Sequence, residues 1–313
     1  MEKNKIITGD ALEGMAALPA ECVDMVLTSP PYWALRDYAT EGQLGLEEDS
    51  DVFMQNLLAY FDQVKRILKK RGTLWINIGD TYSKGHKGTG GSGKATYGCF
   101  NRLQNRASFR QGLHFKMPVP NKSLCAIPFK FALEMQKRGW RLRNVIIWHK
   151  PNAMPGSAKD RFTVDFEYLF FFSKASTYYF NTQWEPVTEG SDSAYRRKLR
   201  VGKKYNNKPD WQNNYPKPAR DNERIKRTTW SINTQQTKGV HTATYPEELC
   251  VTPILAGSPP GGIIFDPFMG TGTTAAVAKK YGRNYLGFEL NPEYAEAARK
   301  RLGDIEWPLG SQP

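Results

Sequence analysis

The stretch IIFDPFMGTGTTAAVA at residues 263–278 decides the fold of this chain. Its first residues are apolar up to Asp266, which predicts a short buried strand that ends in an acid. Gly270 and Gly272 follow and predict a turn in which the backbone can approach a ligand closely. The alanine-rich end predicts the start of a helix, whose N-terminus favours a carboxylate or a phosphate. The pattern is typical of a turn that binds a nucleoside cofactor.

A second strand that ends in an acid follows this turn. Residues 284–289 read NYLGFE and end in Glu289. In doubly wound α/β folds, a carboxylate about 20 residues after the glycine turn reaches the ribose hydroxyls of the cofactor. We therefore predict that Glu289 and the glycine turn bind the same molecule.

A rigid turn follows another apolar strand near the start of the chain. The strand at 23–28 runs directly into Ser29, Pro30, Pro31 and Tyr32. Proline fixes φ and has no N–H, so the turn is stiff and its carbonyls are free to accept hydrogen bonds from a ligand. The serine adds a hydroxyl and the tyrosine an aromatic face, which together suit a flat ring. Taken alone, the tetrapeptide is also compatible with a simple strand-ending turn.

In combination, these motifs resemble the amino-methylating DNA methyltransferases that use S-adenosylmethionine, in the permuted order that places the catalytic motif before the cofactor motif. The resemblance covers almost the whole chain, with a gap in its middle. It is carried by residues 29–32 after Gly9-Asp10, by residues 266–274 before residues 287–294, and by residues 241–249, which resemble the segment beside the methionine end of the cofactor. The permuted order is physically reasonable because the carboxyl ends of parallel strands meet at one crevice.

The resemblance implies an α/β fold: a doubly wound, Rossmann-like methyltransferase sheet, mostly parallel with an antiparallel edge hairpin, plus a small inserted target-recognition region. The alternation of strand and helix patterns predicts the same open sheet. The patterns predict strands at 5–8, 23–28, 73–78, 142–149, 166–173, 263–266 and 284–289, and helices at 51–70 and 128–138. We expect the strands at 142–149 and 166–173 to pair antiparallel.

Three parts of the chain follow from this reading. Residues 1–183 form the catalytic half of the methyltransferase domain and include a mobile basic loop at 80–122. Residues 184–240 form the target-recognition region, and residues 241–313 form the cofactor-binding half.

The resemblance also implies a role for each motif residue. The side chain of Ser29 and the carbonyl of Pro30 accept the two N–H bonds of the base amine, Pro31 keeps the turn rigid, and Tyr32 stacks on the flipped base. No metal and no covalent intermediate are needed. Residues 148–151 end a strand at the same edge and are either a further support for the base or a buried strand end.

A set of residues is expected around the cofactor, with Glu289 on the ribose hydroxyls and the glycines beneath the methionine portion. For the two aspartates, a helix cap or a turn acid is the alternative. The expected cofactor-binding residues are Asp10, Asp266, Phe268, Gly270, Gly272, Thr273 and Glu289.

Residues 184–240 interleave basic residues with aromatic and amide side chains. Such a mixture offers charge for phosphates, flat faces for stacking and amides for base edges. A charged surface loop is the alternative. The expected DNA-binding residues are Arg196, Arg197, Lys203, Lys204, Trp211, Arg224 and Arg227.

The first basic stretch contains a near match to a phosphate-binding loop. Residues 88–94 read GTGGSGK, but Ala95 stands where the magnesium-binding Ser or Thr is required, and no apolar strand leads into the stretch. We therefore interpret the stretch as a basic loop. It either closes over DNA phosphates or is a solvated loop.

The composition agrees with a polyanionic partner. The 313 residues contain 44 Lys and Arg against 31 Asp and Glu, for a net charge of +13. The resemblance implies double-stranded DNA as this partner and a cognate restriction endonuclease as a candidate second one, and the chain is expected to be a monomer or a homodimer. The four cysteines form no Cys-x-x-Cys pair, and no signal peptide or membrane-spanning run is present, so a cytoplasmic protein is expected.

Three functions remain open on the sequence. The first is a site-specific DNA methyltransferase, for which cytosine N4 is favoured over adenine N6 because Ser at the first tetrad position goes mostly with N4 in the resembled family. The second is a methyltransferase that acts on RNA or on a protein side-chain amide. The third is a non-catalytic or NTP-using nucleic-acid binder. The tetrad and Glu289 favour the first.

Overall fold

The computed structural model describes residues 2–83, 115–187, 223–235 and 245–308. Within these ranges, one eight-stranded sheet forms the centre of the protein. Its strands are β1 Lys5–Thr8, β2 Val23–Thr28, β3 Leu68–Ile78, β4 Arg141–His149, β5 Phe166–Ser173, β8 Thr229–Ser231, β9 Ile263–Asp266 and β10 Asn284–Glu289. A separate pair consists of β6 Trp184–Pro186 and β7 Glu223–Ile225. The helices are α1 Ala11–Ala16, α2 Ser50–Ile67, α3 Ile127–Lys137, α4 Glu247–Gly257, α5 Thr273–Lys280 and α6 Pro292–Gly303.

The strand order is β1-β10-β9-β2-β3-β5-β4-β8. The first five strands are parallel, β5 is antiparallel to both of its neighbours, and β8 is parallel to β4. The α/β class, the mostly parallel sheet and the antiparallel β4–β5 pair are therefore confirmed, with β8 added outside that pair. Because β2 lies directly beside β9, the strand that precedes the tetrad and the strand that precedes the glycine turn end at the same edge.

Both faces of the sheet are covered by helices, which explains the continuous apolar run in β5. Phe170 and Phe172 point into a buried cluster with residues of α1, α2 and α3. Leu169 and Phe171 point to the opposite face and pack with residues of α4, α5 and α6. Because side chains alternate along a strand, β5 contributes to both clusters. Each fully buried side chain of this size stabilises the fold by about 1.5–3 kcal/mol.

One predicted boundary was wrong. The helix expected at 51–70 ends at Ile67, and the strand expected from residue 73 begins at Leu68. The basic residues and the glycine that follow, at 69–72, lie in β3. The helix ends early because the backbone of Leu68 is already extended, with ψ 131°.

The early part of β3 pairs irregularly with β2, which accounts for the unusual composition there. The register of the two strands shifts between Val23 and Met25. Lys69 forms an ion pair with Asp24 at 2.8 Å. A Cβ at Gly72 would come within 2.9 Å of the Asp24 carbonyl oxygen, so glycine lets the irregular strand pass close to its neighbour.

Within the region 184–240, the β6–β7 pair joins residues 184–186 to residues 223–225. Glu185 of β6 accepts hydrogen bonds from the Nε atoms of Arg224 and Arg227, at 2.9 Å and 2.6 Å. The strand β8, which follows, belongs to the central sheet. In the part of the chain that the structure describes, no helix has the length and apolar character needed to cross a bilayer.

Replacement of Gly287 by alanine is expected to destabilise the sheet by about 1–3 kcal/mol, because a Cβ in β10 would overpack the core. It would lie 2.1 Å from Met269 Cε and 2.6 Å from the backbone oxygen of Asp266. Urea unfolding measures the change. The matched control is Gly303→Ala at the end of α6, where a Cβ meets nothing within 4 Å, and its effect should stay within about 0.5 kcal/mol. Equal effects of the two substitutions would contradict the close β9–β10 contact.

Candidate functional site

The tetrad lies at the carboxyl edge of the sheet, immediately after β2. The hydroxyl of Tyr32 donates to Glu167 Oε2 at 2.7 Å and lies 3.1 Å from Asn77 Oδ1. Ser29 Oγ lies 3.4 Å from the same Asn77 oxygen. Asn77 comes from β3 and Glu167 from β5, so three strands contribute polar groups to this point. Pro30 is buried, whereas Ser29 and Tyr32 are partly exposed.

The orientation of the Asn77 amide follows from its partners. Its Nδ2 donates to Glu167 Oε2 at 3.1 Å and to the carbonyl oxygen of Tyr168 at 3.2 Å. Because both partners are acceptors, the nitrogen must face them and Oδ1 must face the tetrad. Asn77 is 2% exposed. The site therefore presents a fixed amide oxygen beside the Ser29 hydroxyl.

A largely buried ion pair between Lys150 and Glu167 supports this arrangement. Lys150, which follows β4, donates to Glu167 Oε1, and its Nζ lies 4.4 Å from the centroid of the Trp148 ring. Burial alone would raise the pKa of Glu167, but the charge of Lys150 and the hydrogen bonds from Lys150, Tyr32 and Asn77 outweigh it, so the pKa lies below its usual value. The carboxylate is therefore ionised and accepts from Tyr32.

The tyrosine hydroxyl remains protonated. Burial, with the negative charge of Glu167 in addition, raises the pKa of Tyr32 well above its ordinary value. Two glycines leave room for this residue. A Cβ at Gly79 would lie 2.7 Å from Tyr32 Cε2, and one at Gly45 would lie 2.8 Å from the Tyr32 carbonyl oxygen. Gly45 also has φ +94°, which favours glycine.

The glycine turn and Glu289 form the second part of the site. Glu289 Oε2 accepts the N–H of Gly270 at 2.6 Å, and Oε1 accepts the N–H of Asn291 at 2.9 Å. Gly270 and Gly272 both have positive φ, at 55° and 80°. Among the described residues, no Lys or Arg forms an ion pair with Glu289. Its oxygens thus keep lone pairs for further donors, which suits the hydroxyls of a ribose.

The environment of Glu289 also affects its ionisation. Burial raises the pKa of Glu289, and the nearby charge of Asp266 adds to the rise, while the N–H groups of Asn291 and Gly270 oppose it. The net shift is upward. Hydroxyl donors that bind this carboxylate would stabilise its charged form and bring the pKa down.

Asp10 joins this part of the site from the end of β1. The N–H of Gly9 donates to the Glu289 carbonyl oxygen at 2.9 Å, which brings the two strand ends together. Asp10 Oδ1 accepts the N–H of Leu12 at 2.7 Å and so caps α1. Its Oδ2 accepts the hydroxyl of Tyr60 at 2.7 Å. The side chain is therefore a helix cap, the alternative that the sequence left open, and its predicted role in cofactor binding stays a prediction.

Aromatic rings lie next to Asp10. The rings of Tyr60 and Phe268 are 5.1 Å apart between centroids. Asn291 Nδ2 donates to Thr40 Oγ1 at 3.2 Å, which fixes the segment after the tetrad beside the Glu289 end of the site. Apolar faces, a carboxylate with open lone pairs and a glycine turn thus occupy one place, and these groups fit a nucleoside.

Asp266 links the two parts of the site. It is 1% exposed. Its Oδ1 accepts the hydroxyl of Thr28 at 2.6 Å and the N–H of Phe268 at 3.0 Å, and its Oδ2 accepts the hydroxyl of Thr274 at 2.6 Å. The hydroxyl of Tyr245 lies 3.3 Å from Oδ2. Burial raises the pKa of Asp266 despite these donors. Since Thr28 directly precedes the tetrad, the side chain of Asp266 orders both motifs.

The start of α5 is fixed mainly by α6. A Cβ at Gly272 would lie 3.0 Å from Ala298 Cβ, so the helices are close. The hydroxyl of Thr273 accepts from Arg301 at 3.1 Å. Arg301 also pairs with Glu247 of α4 at 2.6 Å. The cofactor roles predicted for Gly272 and Thr273 stay predictions.

Several residues at the site were not predicted from the sequence. Asn77 interrupts an apolar strand, which is a recognisable signal for a buried polar group with a task. Glu167 precedes the apolar run of β5 but carries no such signal, because a single acid before an apolar run is also typical of an exposed strand end. Lys150 belongs to the predicted segment 148–151, but its role as the partner of Glu167 was not predicted. Tyr60 lies on an amphipathic helix and looks like a core residue.

Some predicted residues lie outside the described ranges, and their roles stay predictions. They are Arg196, Arg197, Lys203, Lys204 and Trp211, the stretch 88–94 and His241. Two predicted DNA-binding residues are described. The side chain of Arg224 is 14% exposed and that of Arg227 is 63% exposed, and both bind Glu185. Arg224 therefore has little surface left for a phosphate, whereas Arg227 has more.

Comparisons with known proteins show the family of this chain. The sequence model of a family described as DNA methylase, with N6 and N4 members, matches residues 23–300. Type II methyltransferase M.Cfr9I of Citrobacter freundii is 38% identical over 301 residues, which cover 95% of this chain and 87% of that protein. Type II methyltransferase M.SmaI of Serratia marcescens is 38% identical over 302 residues, which cover 95% of this chain and 90% of that protein.

A solved structure supports the fold. The PvuII DNA methyltransferase, whose name gives it as cytosine-N4-specific, superposes with a TM-score of 0.62 and 19% identity, covering 98% of this chain and 89% of that one. At this identity the likeness establishes the fold.

Replacement of Lys150 by methionine is expected to destabilise the protein by about 3 kcal/mol near neutral pH, because Glu167 is left charged without its cation. Both side chains are about one-fifth exposed, so the effect should lie at the low end for buried pairs. Without Lys150 the folded-state pKa of Glu167 rises above its unfolded value, and the loss of stability should shrink as the pH falls. Urea unfolding at several pH values measures this.

The control for this prediction is the double variant Lys150→Met with Glu167→Gln. Because it carries no buried charge, the difference between its free energy of unfolding and that of wild type should change little between pH 8 and pH 5. A penalty in Lys150→Met that stayed constant between pH 8 and pH 5 would contradict the buried ion pair.

Proposed function

The chain belongs to the DNA methylase family of N6 and N4 enzymes, and we propose that it transfers a methyl group from S-adenosylmethionine to the exocyclic amine of a flipped base at a specific DNA site. One observation carries the proposal. Thr28 of the catalytic strand and the glycine turn meet on the buried carboxylate of Asp266, at 2.6 Å from the threonine hydroxyl. The tetrad and the Glu289 turn therefore share one edge of the sheet.

The residues at Glu289 fit the cofactor. Glu289 would accept the ribose hydroxyls, and Gly270 and Gly272 would lie beneath the methionine portion. Phe268 supplies an apolar face. Asp266 acts through the turn that it orders, since its oxygens already accept several donors of the protein. When bound, S-adenosylmethionine supplies a methyl group on a positively charged sulfur.

The tetrad orients the base. An exocyclic amine is a poor nucleophile because its lone pair is delocalised into the ring, so the site must hold the nitrogen in one orientation. Ser29 Oγ and the Pro30 carbonyl would accept its two N–H bonds, and Asn77 Oδ1 lies beside them as a further acceptor. The ring of Tyr32 would stack on the base, with its hydroxyl fixed by Glu167.

The proposed base is cytosine, methylated at N4. The support is Ser29, because in this family serine at that position goes mostly with N4. Adenine N6 is the alternative, since a hydroxyl and an amide oxygen accept hydrogen bonds from either amine. The modified nucleoside distinguishes the two.

The proposed substrate is duplex DNA. The net charge of +13 favours a polyanion. Two relatives of similar length carry the name Type II methyltransferase, which supports a site-specific enzyme with a cognate restriction endonuclease as a candidate partner. Target recognition is assigned to residues 184–240, in which the β6–β7 pair joins residues 184–186 to residues 223–225.

Incubation with labelled S-adenosylmethionine and mixed-sequence DNA, RNA or protein, followed by digestion, tests the proposal. We expect label in DNA as N4-methylcytosine. Tyr32→Ala should lower turnover about five- to 150-fold, because stacking on an aromatic ring contributes about 1–3 kcal/mol per base, while its affinity for the cofactor stays within about twofold of wild type.

Each other outcome has a defined meaning. Label in RNA or protein but not in DNA would overturn the proposed substrate. N6-methyladenine would overturn only the base assignment. Loss of cofactor affinity in Tyr32→Ala equal to its loss of turnover would contradict the role of the tetrad.

A further inference from the structure

The connection between β4 and β5 leaves the sheet at the catalytic edge. Residues 151–165 begin directly after Lys150 and end two positions before Glu167. Lys150 and Glu167 form the ion pair that supports the tetrad. The N–H of Lys150 donates to the carbonyl oxygen of Asp165 at 2.7 Å and closes the base of the connection. These residues, called the β4–β5 loop below, are thus anchored at the active site.

The loop is held at its flanks as well as at its base. Asn152 exchanges two hydrogen bonds with the backbone of Thr234, at 3.0 Å and 2.8 Å. Asp160 forms an ion pair with Lys122 at 2.6 Å. The guanidinium of Arg161 lies 3.7 Å from the centroid of the Tyr82 ring. The N–H of Gly156 donates to Thr163 Oγ1 at 3.2 Å. The loop therefore has a defined shape.

This tethered loop presents apolar side chains to solvent. Phe162 is 95% exposed, the highest value among the exposed large apolar residues of the described ranges, and Met154 and Val164 are 56% and 48% exposed. Single exposed apolar residues are common on protein surfaces. Phe162 needs a different explanation, because burial of such a side chain would stabilise the fold. It is almost fully exposed although its loop is fixed at several points and anchored at the active site.

The charges around Phe162 favour a polyanion. Lys159 and Arg161 are exposed on either side of Asp160, whose charge is matched by Lys122. No carboxylate pairs with Lys159 among the residues that the structure describes. Asp165 of the same loop is about half exposed, so Lys122, Lys159 and Arg161 against Asp160 and Asp165 leave a net charge of +1 around the exposed ring.

We propose that Phe162 inserts into the DNA base stack beside the flipped base; the proposal rests on the proposed function. Extrusion of a base costs a few kcal/mol of lost stacking and pairing. Apolar side chains that enter a partly unstacked step offset such a cost in other DNA-binding proteins. The β4–β5 loop leaves the same edge as the tetrad, so its exposed Phe162 ring can contact the duplex while the target base lies against Tyr32.

Single-turnover methylation of two duplexes tests this. Both carry the recognition site; one has a normal pair at the target base and the other a mismatch that leaves this base unpaired. Phe162→Ala should methylate the paired duplex about tenfold more slowly than wild type and the mismatched duplex within about twofold of it. Phe162→Trp should retain the wild-type rate on both.

The control is Phe180→Ala, the same change in a 44% exposed residue that lies near the opposite edge of the sheet, where Tyr179 N–H donates to Arg71 O. Its rate per folded molecule should match wild type on both duplexes. Equal slowing of Phe162→Ala on both duplexes, or slowing with a large fall in melting temperature, would overturn the insertion and indicate packing within the protein. Wild type that methylates neither duplex would instead contradict the proposed function.

Discussion

The hydrogen bond from Thr28 to Asp266 is the interaction on which the rest of the site depends. Parallel strands bring their carboxyl ends to one edge, but they do not by themselves fix the loops that follow. Here the last residue of β2 donates to the acid that ends β9, and the same carboxylate accepts the N–H of Phe268 and the hydroxyl of Thr274. Two motifs separated by more than 200 residues are thereby held by one buried side chain.

A second buried carboxylate supports the tetrad from the other side. Glu167 carries its charge in a largely buried place because Lys150 neutralises it, and two donors, from Tyr32 and Asn77, use its Oε2. The cost of such a buried ion pair is usually not repaid in stability. Its use here is orientation, since it fixes which atom of Asn77 faces the tetrad and keeps the hydroxyl of Tyr32 in place. The site thus consists of acceptors arranged before a substrate arrives, which suits recognition of an amine.

Local patterns in the sequence predicted much of the fold and part of the site. Strands such as Val23–Thr28 and Asn284–Glu289 have short apolar runs; the tetrad directly follows the first strand, and Glu289 is the last residue of the second. The predicted end of α2 was wrong because pairing with β2 extends the chain at Leu68. The basic residues and the glycine at 69–72 do not reveal this long-range effect. Glu167 was missed although the antiparallel pairing of β4 and β5 was expected, because one acid at the start of an apolar strand does not reveal its buried partners Lys150 and Tyr32.

The Thr28→Val variant tests the central claim most directly, because valine keeps the shape of threonine and removes the hydroxyl that joins the two motifs. The measurement is the single-turnover rate of methyl transfer, with the dissociation constants of cofactor and DNA determined in parallel. The structure predicts a loss of rate of about tenfold or more, equal to about 1.4 kcal/mol in the barrier, with both constants within about twofold of wild type. An unchanged rate, or a loss confined to binding, would contradict the role of the Thr28–Asp266 bond.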